Sequence, residues 1–375
     1  MTAPIVLAAG GTGGHMFPAE ALARELLARG HTVVLVTDAR GHAFGDALPE
    51  VPVERVRAAT LGGGLAGKVR MVVELGLGTL QARSLLRRLR PACVVGFGGY
   101  PSVPTVYAAQ GLGIPTVLHE QNAVLGRANR LLAGRAKRVC TAFQSVKGLP
   151  AGTVPVRTGN PVRPGILALH GQPWPDMARG LTLLVTGGSQ GAAVFAGVIP
   201  NAIALLPDEL RQRLRIVQQA RPETMADAHA VYDRIGAEVE LSPFFRDMPA
   251  RLAACHLMIA RAGASTVAEL SVAGRPAILV PYPHATDDHQ SANARALTDA
   301  GGAWTMPQSG FTAEALANRL VTLLSDPHSL ARAGAAAAAW SIPDAASRLA
   351  TAVLETAGVP ETNGNHTPQT WRAAE

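Results

Sequence analysis

The chain has 375 residues, 48% of them hydrophobic, 16% charged and 4% aromatic, with a formal net charge of +7. This length allows two domains, each with its own core, and the scarcity of aromatics argues against a stacking platform for nucleic acid. The three cysteines, Cys93, Cys140 and Cys255, stand far apart in apolar runs with no CxxC pair, which argues against disulfide or metal roles and fits a reducing cytoplasm.

The N-terminus enters a strand directly, so no secretory signal is expected. Residues 5–9 read as a buried parallel strand. They run into Gly10-Gly11-Thr12-Gly13-Gly14-His15, after which 19–29 reads as a helix with Pro18 near its first turn. Glycines let the backbone turn tightly and let a ligand approach the main chain. The helix that follows aims free N–H groups and a partial positive charge at the turn, which suits phosphate or diphosphate. A nicotinamide-dinucleotide fingerprint fails here: counted from Gly11 and Gly13, the third glycine position is Met16, although Asp38 follows the apolar run 32–36 where a ribose-binding acid would stand. Taken alone, the turn is also compatible with a βα connection that binds nothing.

Further along, 51–56 reads as a short strand. Gly62-Gly63-Gly64 leads into a long helix over about 68–90, and the strand 92–95 opens into Gly96-Phe97-Gly98-Gly99-Tyr100-Pro101-Ser102. The strand 115–118 ends in His119-Glu120-Gln121-Asn122, and helix 125–133 and strand 138–141 follow. Residues 91–118 carry no charged side chain, but their prolines and glycines divide them into strand, turn and helix, so a membrane span is not expected. Gly159-Asn160-Pro161-Val162-Arg163-Pro164 reads as a hinge.

The second half repeats the plan. Strand 181–185 runs into Gly187-Gly188-Ser189-Gln190-Gly191-Ala192 and a helix from about 192. Strands are expected at 214–218, 238–241, 256–260 and 277–280, with helices at 223–235 and 267–273. Arg261-Ala262-Gly263-Ala264-Ser265-Thr266 forms a second ligand-facing turn. The stretch from Pro281 to Gln290 precedes another helix, and helices near 312–325, 327–338 and 343–357 close the fold. Residues 359–375 read as a disordered tail. Strands alternating with helices give parallel sheets with ligands at the strands' carboxyl ends. The expected fold class is therefore α/β, two Rossmann-like doubly wound domains facing across a cleft. Residues 1–162 would form the first, with 341–357 packing back on it, and 163–340 the second.

With these motifs in place the chain closely resembles the MurG family of bacterial cell-wall glycosyltransferases, over about residues 4–357. The motifs are GGTGGH at 10–15, GFGGYPS at 96–102, HEQN at 119–122, GNPVR at 159–163, GGSQGA at 187–192, RAGASTVAE at 261–269 and PYPHATDDHQ at 281–290. The resemblance implies a GT-B fold and an inverting transfer. N-acetylglucosamine would pass from UDP-N-acetylglucosamine to the C4 hydroxyl of undecaprenyl-diphosphate-linked MurNAc-pentapeptide (lipid I to lipid II), at the cytoplasmic face of the inner membrane, within the cell-wall synthesis machinery.

The resemblance also assigns residues. Glu269 would accept hydrogen bonds from ribose, Ser189 and the N–H groups around it would hold the diphosphate, and Ala264, Ser265 and Thr266 would contact the substrate. Arg163 would contact the donor, Phe245 would lie near uracil and Gln290 would recognise the sugar. Thr12, Gly13, Gly14 and Asn122 would meet the donor from the first domain. The plainer alternatives are a dipole-complementing Glu269, a surface Arg163, a core Phe245 and an N-capping Ser189. The transfer needs a base, and a histidine that titrates near neutrality suits that work. His15 is the first candidate, with His119 and Glu120 as competitors; a structural His15 remains open. No metal-ligand cluster is visible, the pair Asp287-Asp288 being too weak a signal, and helix dipoles could neutralise the leaving group without a cofactor. His289 stands beside Gln290 where some family members have a second glutamine. A UDP-N-acetylglucosamine epimerase and a non-catalytic nucleotide-sugar-binding protein are the rival readings.

Charge is unevenly divided: residues 1–160 hold 18 Lys/Arg and 8 Asp/Glu, and the remainder holds 16 and 19. Between 55 and 119 Glu74 is the only acid against Arg55, Arg57, Lys68, Arg70, Arg83, Arg87, Arg88 and Arg90. Leu65, Val69, Val72, Val73, Leu77 and Leu80 share that stretch. Positive charge beside apolar surface suits docking on an anionic membrane; a core helix with a solvated basic face is the alternative.

Overall fold

The computed structural model describes residues 3–10, 13–38, 48–58, 64–177, 180–188 and 192–359, with backbone alone at 64–66 and 68–70. Thr12, Ser189, the side chains of Leu65, Lys68, Val69 and Arg70, and the tail from 360 lie outside that description.

Two parallel sheets form the frame. The first contains β1 (Ile5–Ala8), β2 (Val33–Thr37), β3 (Val53–Arg55), β4 (Cys93–Gly96), β5 (Thr116–Glu120), β6 (Arg138–Thr141) and β7 (Val156–Arg157), in the order β3-β2-β1-β4-β5-β6-β7. Ile5 pairs with Val33 on one side and Cys93 on the other. The strand order reverses between β1 and β4, and the residues just beyond them form the crevice where doubly wound sheets take ligands. The second sheet contains β8 (Leu181–Thr186), β9 (Leu214–Gln219), β10 (Glu238–Ser242), β11 (Leu257–Ala260), β12 (Ala277–Leu279) and β13 (Ala303–Thr305), in the order β10-β9-β8-β11-β12-β13. Its reversal falls between β8 and β11, at Gly187–Gly188 and Arg261–Gly263. These are the two Rossmann-like domains expected from the strand–helix alternation.

The strands alternate faces with period two. On β1, Ile5 and Leu7 enter one core and Val6 and Ala8 the other. The second of these is covered by Ala82 and Leu86 of the helix Gly64–Leu89 and Val106 of the helix Val103–Gly111. The first is closed from the far end of the chain. Leu349, Ala350, Val353 and Leu354 of the helix Ala345–Ala357 pack with Ile5, Leu7, Val95 and Val117. Each large apolar side chain buried there contributes roughly 1.5–3 kcal/mol. Arg29 reinforces the contact, donating to Thr351 Oγ1 (3.0 Å) and Ser347 Oγ (2.7 Å). The three cysteines are free and buried, and burial pushes their thiols up to about 12.

Several boundaries differ from expectation. The first helix begins at Gly13, not after Pro18, and Pro18 lies inside it. The bond a proline cannot make would have gone to Gly14, in the opening turn, so the helix runs through. The turn at 263–266 is likewise mostly helix, Ala264–Val272 with Gly263 as N-cap. The strands β7 and β13 are too short to show a period. No helix among the described residues is long and apolar enough to cross a membrane.

Candidate active site

A cleft of about 850 Å³ separates the carboxyl edges of the two sheets. The helix Gly13–Ala28 begins on one wall and the helix Ala264–Val272 on the other. Two helix N-termini therefore present partial positive charge to one space. Arg163, Arg221 and Arg261 add formal charge, against Glu269 as the one carboxylate among the described lining residues. Ser265 Oγ is buried and has no partner within the described structure. The space is built for an anion.

On the first wall, His15 rests against the turn Gly98-Gly99, whose φ angles are 81° and 71°. A Cβ at Gly99 would stand 3.2 Å from the His15 ring. Any other residue there would be strained in backbone and would displace the histidine. His15 Nδ1 lies 3.2 Å from Gln121 Oε1. Gly13 and Gly14 line the cleft beside it.

The two competitor bases are placed otherwise. His119 and Glu120 belong to β5 itself, not to the loop after it. His119 is fully buried; its Nε2 bonds to Gly159 O (2.9 Å), and burial holds its pKa down at about 4. Glu120 is 2% exposed and accepts four hydrogen bonds. They come from Asn122 N and Nδ2, from Gly126 N and from Asn129 Nδ2, at 2.8–3.2 Å. Its carboxylate is thus engaged in shaping the 122–129 segment. Period two along β5 explains the difference in surroundings: His119 and Gln121 face one way, Glu120 and Asn122 the other.

Asn122 lines the cleft and marks where the domains meet. Its Oδ1 accepts from Asn293 Nδ2 (3.1 Å), while Asn293 also donates to Ala262 O and accepts from Ala123 N. Asp287, left-handed at φ 53°, adds ion pairs to Arg127 (3.7 Å) and Arg130 (3.4 Å). Its carboxylate thus joins the helix Arg127–Ala133 of the first domain to the 286–288 turn of the second.

Arg163 and Glu269 find each other across 106 positions of sequence. Arg163 Nε and Nη2 both donate to Glu269 Oε1, at 3.2 and 2.9 Å. The guanidinium also stacks over Phe17 at 4.8 Å, so it bridges the two walls. A Cβ at Gly13 would meet that phenylalanine at 2.9 Å. Burial pushes the Glu269 carboxyl pKa up, against the opposing pull of Arg163. Phe245 is buried at the cleft edge with the Arg251 guanidinium 4.1 Å from its ring centre. Gln290 lines the cleft, and its Oε1 accepts from Tyr282 N at 2.9 Å. His289 bonds back to Thr286 O. Ala264, Ser265 and Thr266 form the first turn of their helix.

Sequence reasoning missed Gln121, Phe17, Asn293 and Arg261. Arg261 directly follows β11, donates to Val280 O, Pro281 O and Gln308 Oε1, and stacks near Phe195 and Tyr282. A lone arginine at a strand's carboxyl end, beside a switch point, was the available signal. Gln121 was marked by its period-two relation to His119.

The frame and the cleft define a class: a GT-B protein of two Rossmann-like domains with an anion-receiving space between them. Comparison with known proteins sharpens this. Residues 5–141 match the glycosyltransferase family 28 N-terminal domain and residues 182–349 the glycosyltransferase family 28 C-terminal domain. A relative from Rhodospirillum centenum, named UDP-N-acetylglucosamine--N-acetylmuramyl-(pentapeptide) pyrophosphoryl-undecaprenol N-acetylglucosamine transferase, is 67% identical over 100% of this chain and 99% of its own. One of the same name from Rhodospirillum rubrum is 55% identical over 95% of this chain and 93% of its own. The crystal structure of Acinetobacter baumannii MurG superposes with a TM-score of 0.76 at 32% identity, covering 94% of this chain and 99% of that one. The chain belongs to glycosyltransferase family 28 and is a glycosyltransferase. A UDP-GlcNAc 2-epimerase from Neisseria meningitidis shares the fold, with a TM-score of 0.64 at 14% identity over 94% of this chain and all of its own.

Proposed function

We propose that this chain transfers N-acetylglucosamine from UDP-N-acetylglucosamine to the C4 hydroxyl of undecaprenyl-diphosphate-linked MurNAc-pentapeptide, with inversion, turning lipid I into lipid II in peptidoglycan synthesis. The observation that carries this reading is the 67% identity along the whole chain to a relative whose name states that transfer. The cleft chemistry supports it. The donor's diphosphate is matched by the N-terminus of the helix Ala264–Val272 with Ser265 and Thr266. Ser189, assigned to the diphosphate, and Thr12, assigned to the donor from the first domain, lie outside the described residues. Glu269, with Oε1 held by Arg163, offers Oε2 to the ribose hydroxyls. Phe245 offers an apolar edge to uracil, and the Gln290 amide NH₂ is left for the sugar.

His15 takes the acceptor's C4 proton while the C4 oxygen attacks the anomeric carbon from the face opposite UDP. As that bond forms, the anomeric bond to the diphosphate breaks and its electron pair leaves with UDP. The two helix N-termini stabilise the charge that develops there. Gly13, Gly14 and Asn122 line the cleft on the first domain's side and would meet the donor from there.

The acceptor's lipid tail requires a membrane face, and exposed apolar and basic residues on the helix Gly64–Leu89 support that helix in the role. Val72, Val73 and Leu80 are 64%, 52% and 65% exposed on it, with Arg87 and Arg88 exposed near its end. That surface and the acceptor's chemistry support a reading of peripheral attachment at the cytoplasmic face of the inner membrane. The test is UDP release from labelled donor with and without lipid-linked acceptor. Release only with acceptor supports transfer. Turnover of donor alone would favour an epimerase, and no turnover in either case would leave a binding protein.

A further inference from the structure

The histidine at the head of the first helix is held by a side chain to which nothing so far assigns a role. Gln121 lies at the carboxyl end of β5 and is buried. Its Nε2 faces three acceptors: Phe97 O at 3.0 Å, His119 O at 3.1 Å and His119 Nδ1 at 3.1 Å. Carbonyl oxygens cannot donate, so the amide nitrogen must point at them and the amide oxygen must point the other way. That oxygen lies 3.2 Å from His15 Nδ1 and can only accept. His119 agrees with this orientation. Its Nε2 faces Gly159 O and so carries the proton, which leaves its Nδ1 as the acceptor Gln121 needs. Burial keeps the His119 ring neutral, as that arrangement requires. The chain of contacts runs from the hinge carbonyl of Gly159 through His119 and Gln121 to His15, and each member fixes the next.

We infer that Gln121 is a positioning residue that holds His15 in its Nδ1–H form, so that the Nε2 lone pair accepts the acceptor's proton. The inference rests on His15 being the base, as proposed above. A neutral imidazole carries one proton, and which nitrogen has it is set by the partner of the other. Without an acceptor at Nδ1 the proton would occupy Nε2 in a large share of molecules, and those could not act as base. The amide suits both ends of the step. When Nε2 takes the C4 hydroxyl proton and the ring becomes imidazolium, Nδ1–H still donates to the same oxygen. No side chain has to turn during proton transfer. Gln121 carries no charge, so it orients the ring without holding it as a cation.

The test is a double-mutant cycle in the full-length protein, read as kcat and KM with donor and lipid acceptor. Gln121→Leu is expected to lower kcat about ten- to a hundredfold, no more than the roughly 10²–10⁴-fold a general base supplies, with KM for the donor unchanged within about twofold. In a His15→Ala background the same replacement should lower kcat no further, because the two act as one unit. A merely structural role would carry its loss into that background as well. Should Gln121→Leu fold poorly, Gln121→Glu keeps an oxygen for Nδ1–H, and nitrogen-15 spectra of the imidazole report the form of His15 without any turnover. The wild type should show Nδ1 protonated, Gln121→Glu should retain this, and Gln121→Leu should lose it. A wild-type kcat in Gln121→Leu, or an Nε2-protonated His15 in the wild type, overturns the inference and leaves the base reading standing. Wild-type turnover in His15→Ala overturns both.

Discussion

Replacing Glu269 with glutamine separates binding from folding at one position. Glutamine keeps the shape of the side chain and an oxygen for Arg163, and removes the charge. Arg163 makes both its bonds to Oε1, so the proposed ribose contact falls to Oε2. Losing a hydrogen bond to an ionised partner costs about 1.5–3 kcal/mol, which is roughly a ten- to hundredfold weaker Kd for UDP-N-acetylglucosamine. Stability moves differently. Burial raises the Glu269 pKa, so the folded protein holds that proton more tightly than the unfolded chain does. The ionised carboxylate therefore disfavours folding at neutral pH, and the effect is relieved as pH falls through the folded pKa. Glutamine is permanently neutral, so the ligand-free Tm should stay level or rise while calorimetry with the donor shows the weaker Kd. An unchanged Kd would remove Glu269 from the ribose site. A Tm that falls in step with affinity would mean that the ion pair holds the fold instead.

Three further outcomes are expected. His15→Ala should lower turnover about 10²–10⁴-fold with the donor Kd from calorimetry nearly unchanged; normal turnover at saturating acceptor would remove His15 as base. Because His119 titrates at about 4 when folded and near 6.5 otherwise, its contribution to stability is complete above pH 6.5. That contribution should be lost as pH falls toward 4, by on the order of 3 kcal/mol. Urea midpoints of His119→Gln should be flatter over that interval, and parallel curves would refute the assignment. Cosedimentation with anionic vesicles should weaken with added salt and with Val72→Ser, Val73→Ser and Leu80→Ser combined, since each exposed apolar group and each nearby arginine adds on the order of 1 kcal/mol; equal binding to neutral vesicles would point to another surface.

Much of the frame was legible because its signals are local. A run such as 181–185 is buried on both faces, and such strands read as near-continuous apolar stretches. The glycine turns after β1 and β8 announce themselves by composition. What stayed hidden depends on pairing across distance. Nothing in the sequence near Arg163 says that it meets Glu269, or that Phe17 lies beneath it. Glu120 carries the same charge as a base would, and only its four donors reveal a structural duty. The helix starts were misjudged for a related reason: Gly13 and Gly14 read as loop formers, yet the first turn of a helix tolerates them when its N–H groups face a ligand site. The strands β7 and β13 exist because a neighbouring strand offers an edge, which no window of two or three residues can reveal.

The helix Ala345–Ala357 has a consequence for how the protein is made. Synthesis delivers β1 to β7 first, but the face of that sheet bearing Ile5, Leu7, Val95 and Val117 is covered only in part, by the helix Gly13–Ala28, until the helix Ala345–Ala357 emerges. The leading half of the chain must therefore wait, with an apolar sheet face partly open to chaperones and to neighbouring chains, while the second sheet is produced and closes on itself. A premature stop shortly before residue 345 would spare the later-made half and ruin the earlier one. For the same reason the two halves cannot be separated by a single cut at the hinge: a stable first half requires its distant C-terminal helix to be supplied, on a linker or as a peptide.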